Sequence, residues 1–335
     1  MLPGYSACAK AYNTANNSKL DAGNNTYADP LQGSQSTMTQ GMPTVNRVRV
    51  IENPANLTLG NWIETASFYD DKGRVIQTQS DNYKGGLETA TILYDFSNKP
   101  ITTYQTHTNQ AAQTSISVKT NMDFDHSERL LAVRKTLNDD ATNTRTITQN
   151  TYDALGQLKT KNIGQQTSIS GGLTSNPLET NNYAYNIRGW LKGINWSGYG
   201  GGNATTPANS ISNNQWFSMD LSYDWGYGTN QYNGNISGQR WQSAGDGAQR
   251  SFGYGYDNAN RLLFADFNQQ FGSSWGKSDP GNANFTIDFS VTMGDGIHPA
   301  TAYDQNGNIL AMTQWGLVLN QKQIKIHTQI VVKVL

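Results

Sequence analysis

The chain has 335 residues, 24 Lys+Arg against 25 Asp+Glu for a formal charge of −1, and a single Cys. That balance offers no basic surface to a polyanion, so it argues against a nucleic-acid partner. One Cys excludes an intramolecular disulfide framework or a Cys-rich metal cluster. Charged residues reach only 15%, below the usual value of about 25%, yet 17 Tyr, 10 Phe and 8 Trp argue for a chain that folds.

Residues 1–45 read as a polar, irregular and partly mobile leader, punctuated by Asn16-Asn17-Ser18 and Asp21-Ala22-Gly23-Asn24-Asn25. Its start, Met1-Leu2-Pro3-Gly4-Tyr5, has neither the basic nor the apolar region of a signal peptide. Ser6-Ala7-Cys8 resembles the end of a lipoprotein signal, but the hydrophobic run before it is missing, so Cys8 reads as an ordinary thiol. No stretch approaches about 18 apolar residues, which predicts no transmembrane helix. Either the protein is cytosolic or its export signal lies elsewhere, on a longer parent chain.

From Val45 the texture changes to short alternating runs rich in Val, Ile, Thr and Tyr. Val48-Arg49-Val50-Ile51, Arg74-Val75-Ile76-Gln77-Thr78 and Arg145-Thr146-Ile147-Thr148 are examples. Period-two alternation predicts half-buried strands, and no window carries a helical period over several turns. The predicted fold class is all-β. Residues 46–312 form one array, with long polar loops expected near 197–215 and 271–284. Residues 313–335 read as an atypical strand-like tail, ending in Val331-Val332-Lys333-Val334-Leu335.

One unit recurs through the array: an aromatic, Asp or Asn, two variable residues, Gly or Asn, a polar or bulky residue, then an aliphatic. Its clearest copies are Tyr69-Asp70-Asp71-Lys72-Gly73-Arg74-Val75, Tyr152–Leu158, Tyr185–Leu191 and Tyr303–Ile309. Tyr94–Pro100 and Tyr256–Leu262 carry Asn in the Gly place, Phe124–Leu130 carries Glu128 there, and Tyr223-Asp224 opens a distorted copy. The spacing predicts a β-hairpin. A strand ends at the aromatic, and Asp accepts backbone N–H bonds. Two residues turn, and Gly or Asn takes the left-handed conformation of a G1 bulge. Glu128 does not suit that conformation, so its copy is expected to be strained or differently turned. Successive aromatics from Tyr69 fall 25, 30, 28, 33, 38, 33 and 47 residues apart, room for about two strands per unit plus variable outer loops.

These hairpins resemble the YD repeats of Rhs and teneurin-type proteins, whose pattern Tyr-Asp-x-x-Gly-Arg-Leu/Ile is met almost in full by Tyr69–Val75. The resemblance covers roughly residues 60–312. Asn186-Ile187-Arg188-Gly189-Trp190-Leu191 and Gln231-Tyr232-Asn233-Gly234-Asn235-Ile236 are similar to phrases of bacterial Rhs-repeat surface and polymorphic-toxin proteins. The resemblance implies a spiralling β-shell that encloses or displays a toxin or effector domain, with the rest of the shell or that domain as partner. It implies a secreted or cell-surface setting in a bacterium. The family's core-terminating Asp-Pro-x-Gly-Leu stretch is absent, since Asp279-Pro280-Gly281-Asn282 departs from it, and no toxin domain follows. The expectation is therefore a fragment or truncated frame of a longer shell protein.

No catalytic, cofactor-binding or metal-binding residues are assigned, and no cofactor is expected. Gly272-Ser273-Ser274-Trp275-Gly276-Lys277-Ser278 is one residue short of a phosphate-binding loop and lacks a strand–loop–helix setting, so it reads as a loop. Asp304-Gln305-Asn306-Gly307-Asn308 has its Gly two places early for a calcium loop and reads as a hairpin turn. His107, His126, His298 and His327 show no metal-ligand spacing, and no Gly-x-Ser-x-Gly elbow occurs. The chain is expected not to be an enzyme. Trp190, Trp196, Trp216, Trp225, Tyr227, Trp241 and Trp275 lie among Gly, Asn and Gln. They fit cross-strand pairs on a sheet, with stacking on a surface carbohydrate as the alternative.

Overall fold

The computed structural model describes residues 9–52, 54–56, 59–110, 114–166, 176–195, 215–316 and 327–328. The fold is all-β, built from antiparallel hairpins. Two compact units divide it, residues 1–151 with 161–178, and residues 152–160 with 179–335.

The first unit is a meander in which each strand pairs antiparallel with the next. Its strands are β1 (Val45–Arg49), β2 (Trp62–Tyr69), β3 (Val75–Asp81), β4 (Leu87–Tyr94), β5 (Pro100–Asn109), β6 (Thr114–Phe124), β7 (Leu130–Leu137) and β8 (Thr144–Tyr152). Strand β9 (Leu158–Gln166) follows, and the division between the units passes through it. Register places Phe68 opposite Gln77, Gln77 opposite Thr91, Thr91 opposite Tyr104, and Thr102 opposite Asn121. One face of the sheet is therefore lined with amides and hydroxyls, and Gln77, Gln79, Thr89, Thr91, Thr102 and Asn121 are all buried.

What buries them is the leader. Apart from one 3-10 turn (Thr14–Lys19, capped by the Asn13 side chain on the Ala15 N–H), residues 9–44 are irregular in backbone. They nevertheless lie against the sheet as a strap. Asn13 meets β3, Asn16 donates to Thr91 on β4, and Asp21 reaches Thr102, Lys119 and Asn121 on β5 and β6. The chain turns at Gly23 (φ 55) and returns along the hairpin ends, where the Asp29 N–H donates to Tyr94 O and the Ser36 N–H to Tyr69 O. Apolar anchors are few: Leu20 with Leu93, Ile101 and Tyr104, and Tyr12 edge-on to Phe68 at 5.9 Å.

The second unit continues the same local grammar with β10 (Glu179–Tyr185), β11 (Leu191–Ile194), β12 (Phe217–Ser222), β13 (Gly238–Ser243), β14 (Gln249–Tyr256) and β15 (Leu262–Phe271). One face carries an aromatic strip, Trp241 on Phe252 (5.4 Å), Phe252 on Phe267 (5.4 Å) and Phe267 on Phe289 (5.2 Å). On the other, the Tyr227 ring lies over two glycines. A Cβ at Gly238 would stand 2.3 Å from Tyr227 Cζ, so that ring requires glycine beneath it.

The segment expected as a loop near 271–284 contains short strands instead. Gly272 (φ 59) lets β15 reverse after two residues into β16 (Ser274–Gly276), since a primed turn needs positive φ at its first central position. Pro280-Gly281 then joins β17 (Ser278–Asp279) to β18 (Asn282–Thr286). The phosphate-loop-like phrase is thus part of a hairpin. Strand β19 (Val291–Met293) pairs with β15, and after a single helical turn, α1 (Pro299–Ala302), β20 (Met312–Trp315) pairs with β19. The start of the expected tail therefore joins the sheet, and β21 (His327–Thr328) pairs with β20. The loop expected near 197–215 lies outside the described residues except at Gln215. Among the described residues, no helix is long and apolar enough to cross a membrane.

Candidate functional site

The recurring feature of this molecule is the turn at each copy of the repeat. At Asp70 the carboxylate Oδ1 accepts the N–H groups of Lys72 (2.9 Å) and Arg74 (2.8 Å), while Oδ2 accepts Arg74 Nε at 2.7 Å. The Gly73 N–H returns to Asp70 O and the Asp70 N–H to Arg74 O. The same set of main-chain bonds closes the turns at Asp95, Asp125, Asp153, Asn186, Asp257 and Asp304. In five of these copies the strand pairing shifts by one residue at the aromatic, pairing Tyr69 with Val75, Tyr94 with Pro100, Phe124 with Leu130, Tyr185 with Leu191, and Tyr256 with Leu262. That shift is the bulge the spacing predicts.

The fifth position is left-handed throughout, with φ of 76° at Gly73, 71° at Asn98, 65° at Glu128 and 62° at Asn260. Glu128 therefore does not change the turn. It adopts the strained conformation and pairs with Lys99 at 3.0 Å. Tyr223-Asp224 is the exception, opening a long loop in which the Gln231 N–H donates to Tyr223 O. An eighth turn of the same type has no preceding aromatic in register. Asn82 Oδ1 accepts the N–H groups of Lys84 and Gly86, and a Cβ at Gly86 would lie 1.8 Å from Thr108 O.

In several copies the aromatic or the cation faces a neighbouring copy, while the Tyr69 hydroxyl donates to Pro43 O. Tyr94 donates its hydroxyl to Val75 O (3.0 Å), Tyr223 to Leu191 O (2.9 Å), Tyr256 to Ile236 O (2.9 Å) and Tyr303 to Leu262 O (2.6 Å). The acceptors Val75, Leu191 and Leu262 open the preceding return strands, and Ile236 lies two residues before β13. The Arg held by the turn Asp lies over the next ring: Arg74 is 4.8 Å from the Tyr94 centroid and Arg261 is 4.6 Å from that of Tyr303. Such contacts contribute about 0.5–2 kcal/mol according to exposure. In the Asp70 and Asp257 copies the seven-residue phrase is therefore a staple. Asp sets the turn and aims Arg, Arg covers the next aromatic, and that aromatic reaches back.

Electrostatics follow the same geometry. Burial disfavours the charged carboxyls of Asp95, Asp125 and Asp257, but the N–H donors and the cation outweigh it and hold them below the ordinary carboxylate range. At Asp304 the Asn308 side chain is the main cause of the same lowering. With its oxygens facing the Asn306 and Asn308 N–H groups and Asn308 Nδ2, Asp304 is a turn former, as its spacing suggests. Burial raises the Tyr94, Tyr256 and Tyr303 hydroxyls above their usual value.

The seven aromatics noted in the sequence separate. Trp241 belongs to the aromatic strip and Tyr227 to the glycine seat, with its hydroxyl on Gln239 O. Trp216 and Trp275 are exposed on β12's approach and on β16, and Trp196 lies outside the described residues. Trp190 and Trp225 share a cleft of about 370 Å³ with Tyr185, Tyr223, Tyr232 and Gln231. Trp190 and Tyr223 are tilted at 5.2 Å, and the Arg188 guanidinium stands 5.1 Å from the Trp190 ring while donating to Tyr232 O. Among the described side chains, the histidines do not converge. His107 faces Glu88, His298 faces Asp295 (2.6 Å), and His126 sits exposed in the Asp125 turn.

No protein-family model matches the chain, and no curated protein matches it. Among solved structures it is similar to the crystal structure of TcdB2-TccC3 without hypervariable C-terminal region, at 12% identity and a TM-score of 0.32. The similarity covers 85% of this chain and 15% of that one, so the chain spans a small part of that structure's length.

Proposed function

We propose that the chain is a non-catalytic stretch of wall, built from Tyr-Asp hairpins, that helps enclose or display a toxin or effector domain carried elsewhere. The observation that supports this reading is the staple itself. The residue types that make a catalytic site, carboxylates and cations, are spent here on closing turns and covering the next ring. On this reading the partner is the rest of the wall or the domain it holds, outside the cell or at its surface.

A second reading, a carbohydrate-binding surface, is favoured by one observation, the Trp190–Tyr223–Trp225 cleft beside Arg188 and Gln231. Thermal unfolding against a glycan panel, combined with sedimentation, separates the two. A wall segment self-associates and keeps its Tm in every glycan. A saturable rise in Tm with one glycan, lost in Trp225→Ala, would overturn the wall reading in favour of the second.

A further inference from the structure

In the copies at Asp70, Asp125 and Asp257 the turn carboxylate holds the arginine four residues on. The copy at Tyr185–Leu191 has Asn186 in place of that carboxylate and Trp190 in place of that arginine. Its cation is Arg188, at the turn itself. The guanidiniums of Arg74, Arg129, Arg134, Arg240, Arg250 and Arg261 each hold a carboxylate. Among the described residues Arg188 pairs with none. Its Nη1 donates to Tyr232 O at 2.7 Å, and its Cζ stands 5.1 Å from the Trp190 ring centroid.

A guanidinium carries five N–H donors in a rigid fork. The Tyr232 carbonyl takes one of them and supplies no countercharge, so the fork remains able to receive an anion. Ring and carbonyl also fix the side chain before a ligand arrives, which lowers the entropy that binding must overcome. Arg188 and Lys192 line the cleft against one carboxylate, Asp224. The volume of about 370 Å³ falls within the range of small-ligand sites, about 300–1,000 Å³. Trp190 is already engaged by Arg188 and Tyr223. Trp225 is braced by the Arg240 guanidinium 5.5 Å from its ring, itself held by buried Asp220 at 2.8 Å.

We infer that the ligand of this cleft is an acidic saccharide, whose carboxylate is taken by Arg188 while its ring lies against Trp225. The acidic class is a narrower case of the carbohydrate-binding reading and rests on it. Arg188 sets the selectivity, and the aromatic wall supplies contact that a neutral sugar shares.

The test titrates the full chain by calorimetry with two matched pairs: trigalacturonate with its methyl ester, and sialyllactose with lactose. At least one acidic member should bind saturably, and its neutral counterpart about tenfold or more weaker, the equivalent of about 1.4 kcal/mol. Arg188→Gln should abolish that preference. Arg145→Gln, which alters an arginine of the first unit bonded to main-chain carbonyls, should leave it intact. The comparison within each pair uses the unaltered chain, so it does not depend on how a variant folds. Equal binding of both members would overturn the acidic class and spare the carbohydrate reading, whereas binding of no member would remove both. A preference that survives Arg188→Gln, or one lost equally in Arg145→Gln, would overturn the role given to Arg188.

Discussion

Replacing Asp257 by Asn and by Ala should have very different costs. Asp257 has a side chain only 2% exposed. Its Oδ1 accepts the Ala259 and Arg261 N–H groups at 2.9 and 2.8 Å, and its Oδ2 accepts Arg261 Nε at 2.7 Å. Alanine removes all three bonds. At about 1 kcal/mol for each neutral bond, plus a charge-assisted bond discounted because Arg261 is about one-third exposed, the loss is about 2–4 kcal/mol. Asparagine keeps an oxygen where Oδ1 stands, and the molecule already contains that arrangement. Asn186 Oδ1 accepts the Arg188 and Trp190 N–H groups at 2.9 and 3.0 Å. Asp257→Asn should therefore cost about 1 kcal/mol or less. Urea unfolding followed by tryptophan fluorescence reports mainly on the second unit, which holds Trp190, Trp216, Trp225, Trp241, Trp275 and Trp315. Equal destabilisation by the two variants, within about 0.5 kcal/mol, would refute the claim that turn closure and not charge is the residue's main role.

Tyr303→Phe removes the hydroxyl bond to Leu262 O and should destabilise the second unit by about 0.5–1.5 kcal/mol, read by the same unfolding curves. Glu128→Gly should stabilise by about 0.5–1 kcal/mol by relieving a left-handed glutamate, while Gly73→Ala should destabilise by about 1 kcal/mol or more; a scan of Tm checks the opposite signs. Because the Asp95, Asp125, Asp257 and Asp304 carboxyls are held below their unfolded value, their contribution is complete above about pH 4 and lost as pH falls further; urea midpoints between about pH 6 and pH 3 should show that decline. At the alkaline end, burial pushes Tyr254 up to about 12, so its stabilising contribution is complete below about pH 10 and is lost progressively as pH rises from there towards the higher value, visible as delayed tyrosinate absorbance.

The turn chemistry was legible in the sequence because it is local. Tyr, Asp and Gly within seven residues specify a bulge, and the structure places that bulge at every clear copy whose pairing is described. Glu128 shows the limit of the local argument: the hydrogen bonds supplied by Asp125 hold the turn even with an unsuitable residue at positive φ. The Asn82 turn escaped notice because its signal, Asn-x-x-Gly-Gly, lacks the aromatic that marks the others. The strap was illegible for a different reason. Its irregular backbone carries no period, and its partners, such as Asn13 and Gln77, lie 64 residues apart. The cleft at Trp190 likewise joins residues from three segments, so composition could name its aromatics but not separate them from Trp241 and Tyr227.

The central claim, that one turn repeated along the chain locks successive hairpins together, is tested most directly by native-state hydrogen exchange on the full chain in rising urea. The amides of Arg74, Lys99, Arg129, Gln157, Trp190, Arg261 and Asn308, each accepted by its turn Asp or Asn, should open only with the strands of their own unit. Exchange of those amides at the rate of unprotected loops, while the strand centres stay protected, would contradict it.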